Sequence, residues 1–276
     1  MKIYPKKSLG QNFLIEPSVL PKIICAAEIQ KGEVVIEVGP GQGILTAALL
    51  EAGAEVYAIE KDFELAQNLE KIMRSPKNLP AGRHGLKVVH QDALFFDLSK
   101  FANYKVVSNL PFNIASPLIR KFLEADNSPK LMILMVQKEV AEKIVAKPGD
   151  SNRGILTLAV EFYADAEIIQ NVPKTSFKPQ PKVDAAVIRI KPHPDPKPHL
   201  RGGGELVELE LFFKIVKAGF ASKRRKISNS LAAALRLEKN VVLDLLKASQ
   251  IKPELRAEDL SLEEWKRLTQ EFRKIL

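Results

Sequence analysis

One stretch of the chain constrains its fold more than any other. From Val34 to Gly43 the sequence reads V-V-I-E-V-G-P-G-Q-G, an apolar run that breaks into glycines at alternate positions. An amphipathic segment, residues 44–51, follows at once. This order predicts a buried strand, a tight turn and the start of a helix. Glycine suits the turn because it adopts positive φ and lets a ligand approach the backbone. The sequence therefore predicts a ligand site between the carboxyl end of the strand and the helix N-terminus.

The spacing of the glycines indicates the kind of ligand. Gly39, Gly41 and Gly43 form G-x-G-x-G, whereas a dinucleotide site has G-x-G-x-x-G and a wider loop for the pyrophosphate. The tighter loop favours a ligand without phosphates, such as the amino-acid part of S-adenosylmethionine. A second predicted strand, 55–59, leads to Glu60, whose carboxylate can accept hydrogen bonds from both ribose hydroxyls. A glycine-rich turn can also be purely structural, but Glu60 at this distance favours a nucleoside-binding site.

Strands and helices alternate up to about residue 190. The predicted strands are 34–38, 55–59, 86–90, 104–108, 131–137, 164–169 and 183–190. This alternation predicts an α/β fold with a mostly parallel sheet and helices on both faces. The last two strands are expected to form an antiparallel edge.

A change in composition near residue 192 predicts a domain boundary. Residues 192–204 are rich in proline and glycine, as is typical of a linker. Apolar residues recur at helical spacing beyond it. We therefore expect a ligand-binding domain at 1–191 and a small helical, RNA-binding domain at 205–276.

Composition limits the class of protein. The 276 residues are 46% hydrophobic, which excludes a disordered chain. Lys and Arg outnumber Asp and Glu by 42 to 33, a balance common in nucleic-acid-binding proteins but also in proteins with a merely basic surface.

The one cysteine, Cys25, excludes an internal disulfide and a cysteine-based metal site, and its apolar neighbours predict a core position. The longest apolar run, 131–136, is too short to span a bilayer. No apolar signal region follows the start, so we expect a cytoplasmic protein. We also expect a protein without a metal.

Two polar residues have two interpretations each. Asp92 follows the strand at 86–90, where it can hold the amino group of an adenine ring or cap a short helix. Asn12 lies in a basic N-terminal arm that ends in Q-N-F-L. The arm either docks on the core through Phe13 or covers a bound ligand, to which Asn12 supplies a hydrogen bond. The sequence leaves both alternatives open.

The tetrapeptide Asn109-Leu110-Pro111-Phe112 is the most informative in the chain because it follows a predicted strand end. An exocyclic amine of a base is a poor nucleophile, since its lone pair is spread into the ring. The amide oxygen of Asn109 and the carbonyl of Leu110 can each accept one of its hydrogens, which favours the developing tetrahedral nitrogen. Pro111 restrains the backbone, and Phe112 offers a ring for stacking. Methyl transfer then needs only in-line placement of a sulfonium methyl. The alternative is an ordinary turn after a strand.

A second aromatic residue and a basic cluster complete the candidates. Phe177 lies between prolines and lysines in a stiff loop, and it is either a second stacking wall for an extruded base or an anchor buried against the sheet. Lys223, Arg224, Arg225 and Lys226 are consecutive, which predicts contacts to phosphates. A solvated face is the alternative for such a charge run.

Together the motifs resemble the ribosomal RNA adenine N6-dimethyltransferases. The resemblance covers nearly the whole chain and rests on Q-N-F-L, E-V-G-P-G-Q-G-I-L-T, Glu60, Q-D-A, N-L-P-F-N-I-A-S-P, F-K-P-Q-P-K-V-D-A-A-V and F-A-S-K-R-R-K. It implies a Rossmann-like class I methyltransferase sheet with a helical C-terminal domain. It also implies S-adenosylmethionine as donor and, as acceptors, two adjacent adenines of the 3′-terminal hairpin of 16S ribosomal RNA in the small subunit or its precursor. Each adenine would be dimethylated at N6, and we expect a monomer.

The resemblance also implies roles for particular residues. The donor would contact Asn12, Leu14, Gly39, Glu60, Asp92 and Asn109, beside the glycine loop that contains Gly41. Residues 109–112 would hold the target amine, with the base between Phe112 and Phe177. The chain departs from the family at two places. The family often has Tyr where this chain has Phe112, and small residues are expected where it has Lys174-Thr175-Ser176.

Other functions fit parts of the pattern. Erm-type methyltransferases perform the same chemistry on 23S ribosomal RNA, but the longer helical C-terminal domain and N-L-P rather than N-I-P favour the small subunit. A ribosome-assembly factor that acts mainly by binding is a second alternative. A nicotinamide-dependent dehydrogenase is a third, and the G-x-G-x-G spacing and the lack of a well-placed His or Lys argue against it.

Overall fold

The computed structural model describes residues 6, 10–73, 85–194 and 205–275, with side chains from residue 209 onward in the last range. The chain divides into two compact units. One contains the described residues of 1–141 and 164–192, and the other contains 142–163 and those of 193–276. Residues 142–163 therefore group with the second unit, which the predicted domain range 1–191 does not anticipate. Most of the predicted linker, 192–204, lies outside the described residues.

The first unit is built on a seven-stranded sheet. Among the described residues the strands are β1 Phe13–Leu14, β2 Val34–Val38, β3 Glu55–Glu60, β4 Leu86–His90, β5 Lys105–Asn109, β6 Leu131–Gln137, β7 Ala164–Val172, β8 Phe177–Lys178 and β9 Ala185–Pro192. The sheet has the order β4-β3-β2-β5-β6-β9-β7. β4, β3, β2, β5 and β6 are parallel, while β9 is antiparallel to both β6 and β7. The predicted mostly parallel sheet with an antiparallel edge is confirmed.

Burial explains why the central strands form. Six of the seven residues of β6, all but Gln137, are buried, as expected for a strand covered on both faces. β2 is likewise buried from Val35 to Val38. Both strands were predicted from short, mostly apolar runs, the pattern typical of a parallel sheet.

The ten helices of the described chain are α1 Leu20–Ala27, α2 Ile44–Glu51, α3 Phe63–Met73, α4 Ala115–Glu124, α5 Lys138–Val145, α6 Ile155–Tyr163, α7 Glu205–Phe220, α8 Ile227–Leu235, α9 Lys239–Ala248 and α10 Leu262–Arg273. α2, α3 and α4 connect successive parallel strands of the sheet. The helix α4 was not predicted from the sequence. Its apolar side is buried through Leu118, Ile119, Phe122 and Leu123, and Pro117 lies in its first turn, where proline is tolerated.

A second, two-stranded sheet lies in the same unit. β1 pairs antiparallel with β8, so that Phe13 is opposite Lys178 and Leu14 is opposite Phe177. The N–H of Ile15 extends the pairing by donating to the carbonyl of Ser176 at 2.9 Å. This sheet joins the N-terminal arm to the proline-rich loop, a pairing that no sequence pattern predicted.

The second unit is helical. Its core includes Trp265, whose side chain is fully buried and stacks on Phe220 at 5.9 Å between ring centroids. Arg153 is also fully buried. Its guanidinium donates to both carboxylate oxygens of Glu161, at 3.0 and 2.7 Å, and to the carbonyls of Ala146 and Leu260. A buried charge satisfied in this way fixes the loop before α6 to the segment before α10.

Two further observations concern single features of the sequence. Cys25 is exposed, so the predicted core position is wrong. Its neighbours Ile23 and Ala27 are one helical turn apart and face the core, which leaves Cys25 on the opposite side of α1. In the part of the chain that the structure describes, no helix is long and apolar enough to cross a membrane.

Candidate functional site

The site begins where the strand order of the sheet reverses. The chain adds β3 and β4 on one side of β2 and then places β5 on the other, which opens a crevice at the carboxyl ends of β2 and β5. Backbone pairing between these strands is confined to Val35 and Ile36. Further along, the hydroxyl of Ser108 accepts from the N–H of Val38 at 3.3 Å and donates to its carbonyl at 2.6 Å. The side chain of Ser108 thus takes the place of the backbone hydrogen bonds between β2 and β5 where these strands separate.

The glycine loop spans this crevice. Gly39, Gly41 and Gly43 have φ of 66°, 56° and 83°, which favours glycine at each position. Packing is a second reason for glycine at position 43. A Cβ on Gly43 would lie 2.6 Å from side-chain atoms of Leu69 and Met73, both on α3. The predicted turn is present, and the helix that follows it, α2, begins at Ile44.

Close approach also links this loop to other parts of the site. A Cβ on Gly39 would lie 3.2 Å from Cγ of Pro111, and one on Gly41 would lie 2.9 Å from the ring of Phe13. Glycine therefore lets the N-terminal arm and the Asn109–Phe112 turn pack directly against the loop. The sequence suggested close approach of a ligand, whereas the atoms that a Cβ would meet belong to the protein.

A buried carboxyl group lies beneath the loop. Glu37 is 1% exposed, and its Oε2 accepts a hydrogen bond from the hydroxyl of Thr46 at 2.7 Å. Burial raises the pKa of Glu37 to about 8, and the charge of Glu60 acts in the same direction. The Glu37 carboxyl is therefore largely protonated at neutral pH.

Glu60 ends β3 and faces the crevice. It is 6% exposed, and its Oε1 accepts the N–H of Asp62 at 2.9 Å. Burial raises the pKa of Glu60, against the opposing effect of hydrogen bonds from the backbone of Asp62 and Gly41. A carboxylate held in this way at the tip of the second strand has the position expected of a ribose acceptor.

Asp92 follows β4 and forms the helix cap that was one of its two interpretations. Its Oδ1 caps a 3₁₀ turn, 93–95, by accepting the N–H of Leu94 at 3.0 Å. Its side chain also lines the crevice. Oδ2 forms an ion pair with Lys61 at 2.8 Å, which lowers the pKa of Asp92 together with the bond from Leu94.

The Asn109–Phe112 turn leaves β5 on the other side of the crevice. The N–H of Leu110 donates to the carbonyl of Met135, which anchors the turn to β6. Nδ2 of Asn109 donates to the backbone carbonyl of Asn12 at 3.4 Å. A carbonyl can only accept, which agrees with the nitrogen end of the amide facing Asn12. Oδ1 of Asn109 is buried and, within the described residues, accepts no hydrogen bond.

The N-terminal arm lies along the same crevice. Gln11, Asn12, Phe13 and Leu14 all line it. Phe13 is 8% exposed, so the arm docks through its aromatic ring as one alternative proposed. The side chain of Asn12 donates to the carbonyl of Gly10 at 3.1 Å, while its backbone carbonyl meets Asn109.

The two rings expected to enclose a base do not form a parallel slot. Phe112 and Phe177 have centroids 6.3 Å apart and an interplanar angle of 67°, an edge-to-face contact. Phe177 is 3% exposed and packs in the core, which matches the alternative of a buried anchor, while Phe112 is half-buried and lines the crevice. In this arrangement the rings contact each other rather than leaving space for a base.

The basic cluster Lys223–Lys226 lies in the second unit, in the loop between α7 and α8. All four side chains are exposed. Lys223 donates to the carbonyl of Ser151 at 2.7 Å, and among the described residues none of the four forms an ion pair with a carboxylate. The cluster therefore presents uncompensated positive charge.

Some features of the site were not predicted. They are the bridge made by Ser108, the buried pair of Glu37 and Thr46, and the contact of Phe13 with Gly41. No group of three or more His, Cys, Asp or Glu in the described parts of the chain could hold a metal ion. The residues that line the crevice include those predicted to contact a donor and those predicted to hold an amine, namely Asn12, Leu14, Gly39, Gly41, Glu60, Asp92, Asn109, Leu110, Pro111 and Phe112.

Sequence comparison gives a consistent result. A family model described as ribosomal RNA adenine dimethylase matches residues 4–274. The ribosomal RNA small subunit methyltransferase A of Dehalococcoides mccartyi is 41% identical over 271 residues, which cover 97% of this chain and 88% of that protein. The protein of the same name from Halothermothrix orenii is 37% identical and is covered over 85% of its length, with 94% of this chain aligned.

Two solved structures are similar over almost the whole chain. A dimethyladenosine transferase from Plasmodium falciparum has a TM-score of 0.78 and 28% identity, covering 95% of this chain and 97% of that one. The 23S rRNA methyltransferase ErmE has a TM-score of 0.70 and 26% identity, covering 95% of this chain and all of that one.

Proposed function

This chain belongs to the ribosomal RNA adenine dimethylase family, and we propose that it dimethylates N6 of two adjacent adenines in the 3′-terminal hairpin of 16S ribosomal RNA. S-adenosylmethionine is the proposed donor, and the small ribosomal subunit or its precursor is the proposed partner. In a bacterial cell this substrate corresponds to the cytoplasmic location expected from the sequence. The expectations of a monomer and of no metal stay predictions.

One observation carries the proposal at the level of chemistry. Oδ1 of Asn109 is a buried acceptor that has no partner in the described chain. An orphaned buried acceptor is costly, by about 1–3 kcal/mol, unless a ligand supplies the donor. The adjacent residue, Leu110, provides a backbone carbonyl for a second N–H. Two acceptors at the end of a strand suit an exocyclic amine that must become tetrahedral.

The crevice fits the proposed donor. Glu60 offers a carboxylate at the position of a ribose acceptor, Asp92 offers one for an adenine amino group, and Gly39 and Gly41 line the part of the crevice proposed for the amino-acid part. The bound donor supplies an electrophilic methyl group. The chain binds it, excludes water with the arm at Asn12–Leu14, and orients it toward the Asn109 turn.

Asn109 and Leu110 act on the acceptor. Their oxygens hold the N6 hydrogens and so turn the nitrogen lone pair out of the ring plane. We propose that Phe112 stacks on the base. The roles of Phe177 as second wall and of a sandwich stay predictions, and they require one ring to rotate from the edge-to-face contact.

The exposed cluster Lys223–Lys226 is the proposed phosphate contact. Four cations that pair with no carboxylate of the described residues support this role, because neutralising phosphates releases counterions and raises affinity in a salt-dependent way.

Methylation of isolated subunits tests the proposal. We expect labelled donor to transfer methyl groups to 16S rRNA of immature small subunits and not to 23S rRNA. Asn109→Ala should reduce kcat by about 100-fold, comparable to the loss of one hydrogen-bonding group from an oxyanion hole, with little change in RNA affinity.

The likeness to ErmE gives the large-subunit alternative a specific basis. Methylation of 23S rRNA alone would support that alternative and would contradict our proposal. The binding-factor alternative predicts that Asn109→Ala still rescues subunit maturation in a strain that lacks the enzyme, although methylation is lost.

A further inference from the structure

Asp62 has contacts that none of the roles above explains. It is the residue immediately before α3, and its side chain is 2% exposed. Oδ2 accepts from Nε2 of Gln11 at 3.2 Å and pairs with Nζ of Lys6 at 2.9 Å. Oδ1 accepts the N–H of Glu64 at 3.0 Å. A residue between β3 and α3 thus binds two residues of the N-terminal arm.

The same residue contacts the proposed ribose acceptor. The backbone N–H of Asp62 donates to Oε1 of Glu60 at 2.9 Å. Gln11 immediately precedes Asn12, whose carbonyl accepts from Asn109. Asp62 therefore connects the arm that lines one side of the crevice to the carboxylate that lines the other.

Helix capping accounts for only part of this arrangement. A cap needs one acceptor for the first-turn N–H groups, and Oδ1 serves that purpose with Glu64. Oδ2 contacts the arm through Lys6 and Gln11, and Lys6 also donates to Oδ1 at 3.1 Å. Although burial opposes it, bonds from Lys6 and Gln11 hold the pKa of Asp62 below its ordinary value, so the group is charged where it meets them.

We infer that Asp62 is a positioning residue for the methyl donor. Its carboxylate holds Gln11 and Lys6 so that residues 12–14 line the donor crevice, and its backbone amide orients Glu60. This inference rests on the proposed function for the identity of the donor. The contact between the arm and the core does not depend on it.

Asp62→Asn separates positioning from capping. Asn is as good a cap as Asp and can still accept the N–H of Glu64, but it has no charge for Lys6 and only one acceptor oxygen. We expect the Kd for S-adenosylmethionine in calorimetry to rise about tenfold, while kcat at saturating donor changes less than about twofold. In donor-free protein, amides 11–14 should exchange hydrogen faster than in wild type.

Asp97→Asn is the matched control. Asp97 accepts the N–H of Ser99 in a local turn and lies outside the crevice, so this variant should leave donor affinity and arm exchange unchanged. Gln11→Ala should resemble Asp62→Asn. The double variant should weaken donor binding no more than the stronger single one, because both remove the same contact.

Several outcomes would overturn the inference. One such outcome is that Asp62→Asn binds the donor as tightly as wild type and that its amides 11–14 exchange hydrogen at the wild-type rate. Another is that the losses of donor affinity caused by Asp62→Asn and Gln11→Ala add fully in the double variant. Thermal unfolding checks the fold, and if Asp62→Asn fails to fold, Gln11→Ala and Lys6→Met carry the test with the same expectations. If wild-type protein binds no S-adenosylmethionine, the proposed function fails, while hydrogen exchange in donor-free protein still decides whether Asp62 holds the arm.

Discussion

The buried carboxyl of Glu37 should make the free energy of unfolding depend on pH in a specific way. Its pKa is about 8 in the folded chain against 4.5 for an unperturbed glutamate, because the carboxyl is buried beneath the glycine loop. Between these values the folded state holds a proton that the unfolded state lacks. This stabilisation is fully present below pH 4.5 and is lost as the pH rises through about 8.

The size of the effect follows from the shift. One pKa unit corresponds to about 1.4 kcal/mol, so the stabilisation lost between pH 4.5 and pH 8 is about 5 kcal/mol. About 3 kcal/mol of it is lost by pH 7. Glu37→Gln mimics the protonated form and can still bond to Thr46. We expect the free energy of unfolding of this variant to exceed that of wild type by a margin that widens from pH 5 to pH 8.

Urea unfolding followed by circular dichroism at several pH values measures this margin. Glu51→Gln, at the exposed end of α2, is the matched control and should follow wild type at every pH. If the difference between Glu37→Gln and wild type stays constant from pH 5 to pH 8, the carboxyl does not titrate in this range and the reasoning is refuted.

Three other expectations can be tested with single assays. Glu60→Ala should weaken donor binding with little effect on RNA affinity, and unchanged affinity in calorimetry would contradict the ribose assignment. Neutralising Arg224 and Arg225 together should weaken RNA binding and reduce the slope of log K against log salt by about 2. An unaltered slope would indicate that the cluster is only a solvated surface. Arg153→Met should destabilise the second unit by about 3 kcal/mol in urea, because the carboxylate of Glu161 and two carbonyls lose their buried donor. A loss below about 0.5 kcal/mol would show that this ion pair is dispensable.

Local patterns in the sequence predicted most of the sheet. β2 and β6 are apolar runs, and the glycines after β2 have the positive φ that the turn requires. Glu60 and the Asn109 turn were located at strand ends, which the topology then brings to one edge. These features depend on residues that are neighbours in the chain.

The parts that were missed depend on contacts between distant residues. Pairing of β1 with β8, and of Asp62 with Gln11, joins segments far apart in sequence, and no local period encodes it. α4 was overlooked because A-S-P opens it, although proline is compatible with a first turn. The angle between Phe112 and Phe177 follows from core packing and not from any motif.

Mass mapping of 16S rRNA tests the central claim most directly. Small subunits that lack the modification would be incubated with the protein and labelled S-adenosylmethionine, and the RNA then digested and sequenced by mass. We predict N6,N6-dimethyladenosine at two adjacent positions in the 3′-terminal hairpin, absent with Asn109→Ala. Label elsewhere in the RNA, or no transfer by wild-type protein that binds the donor, would contradict the account.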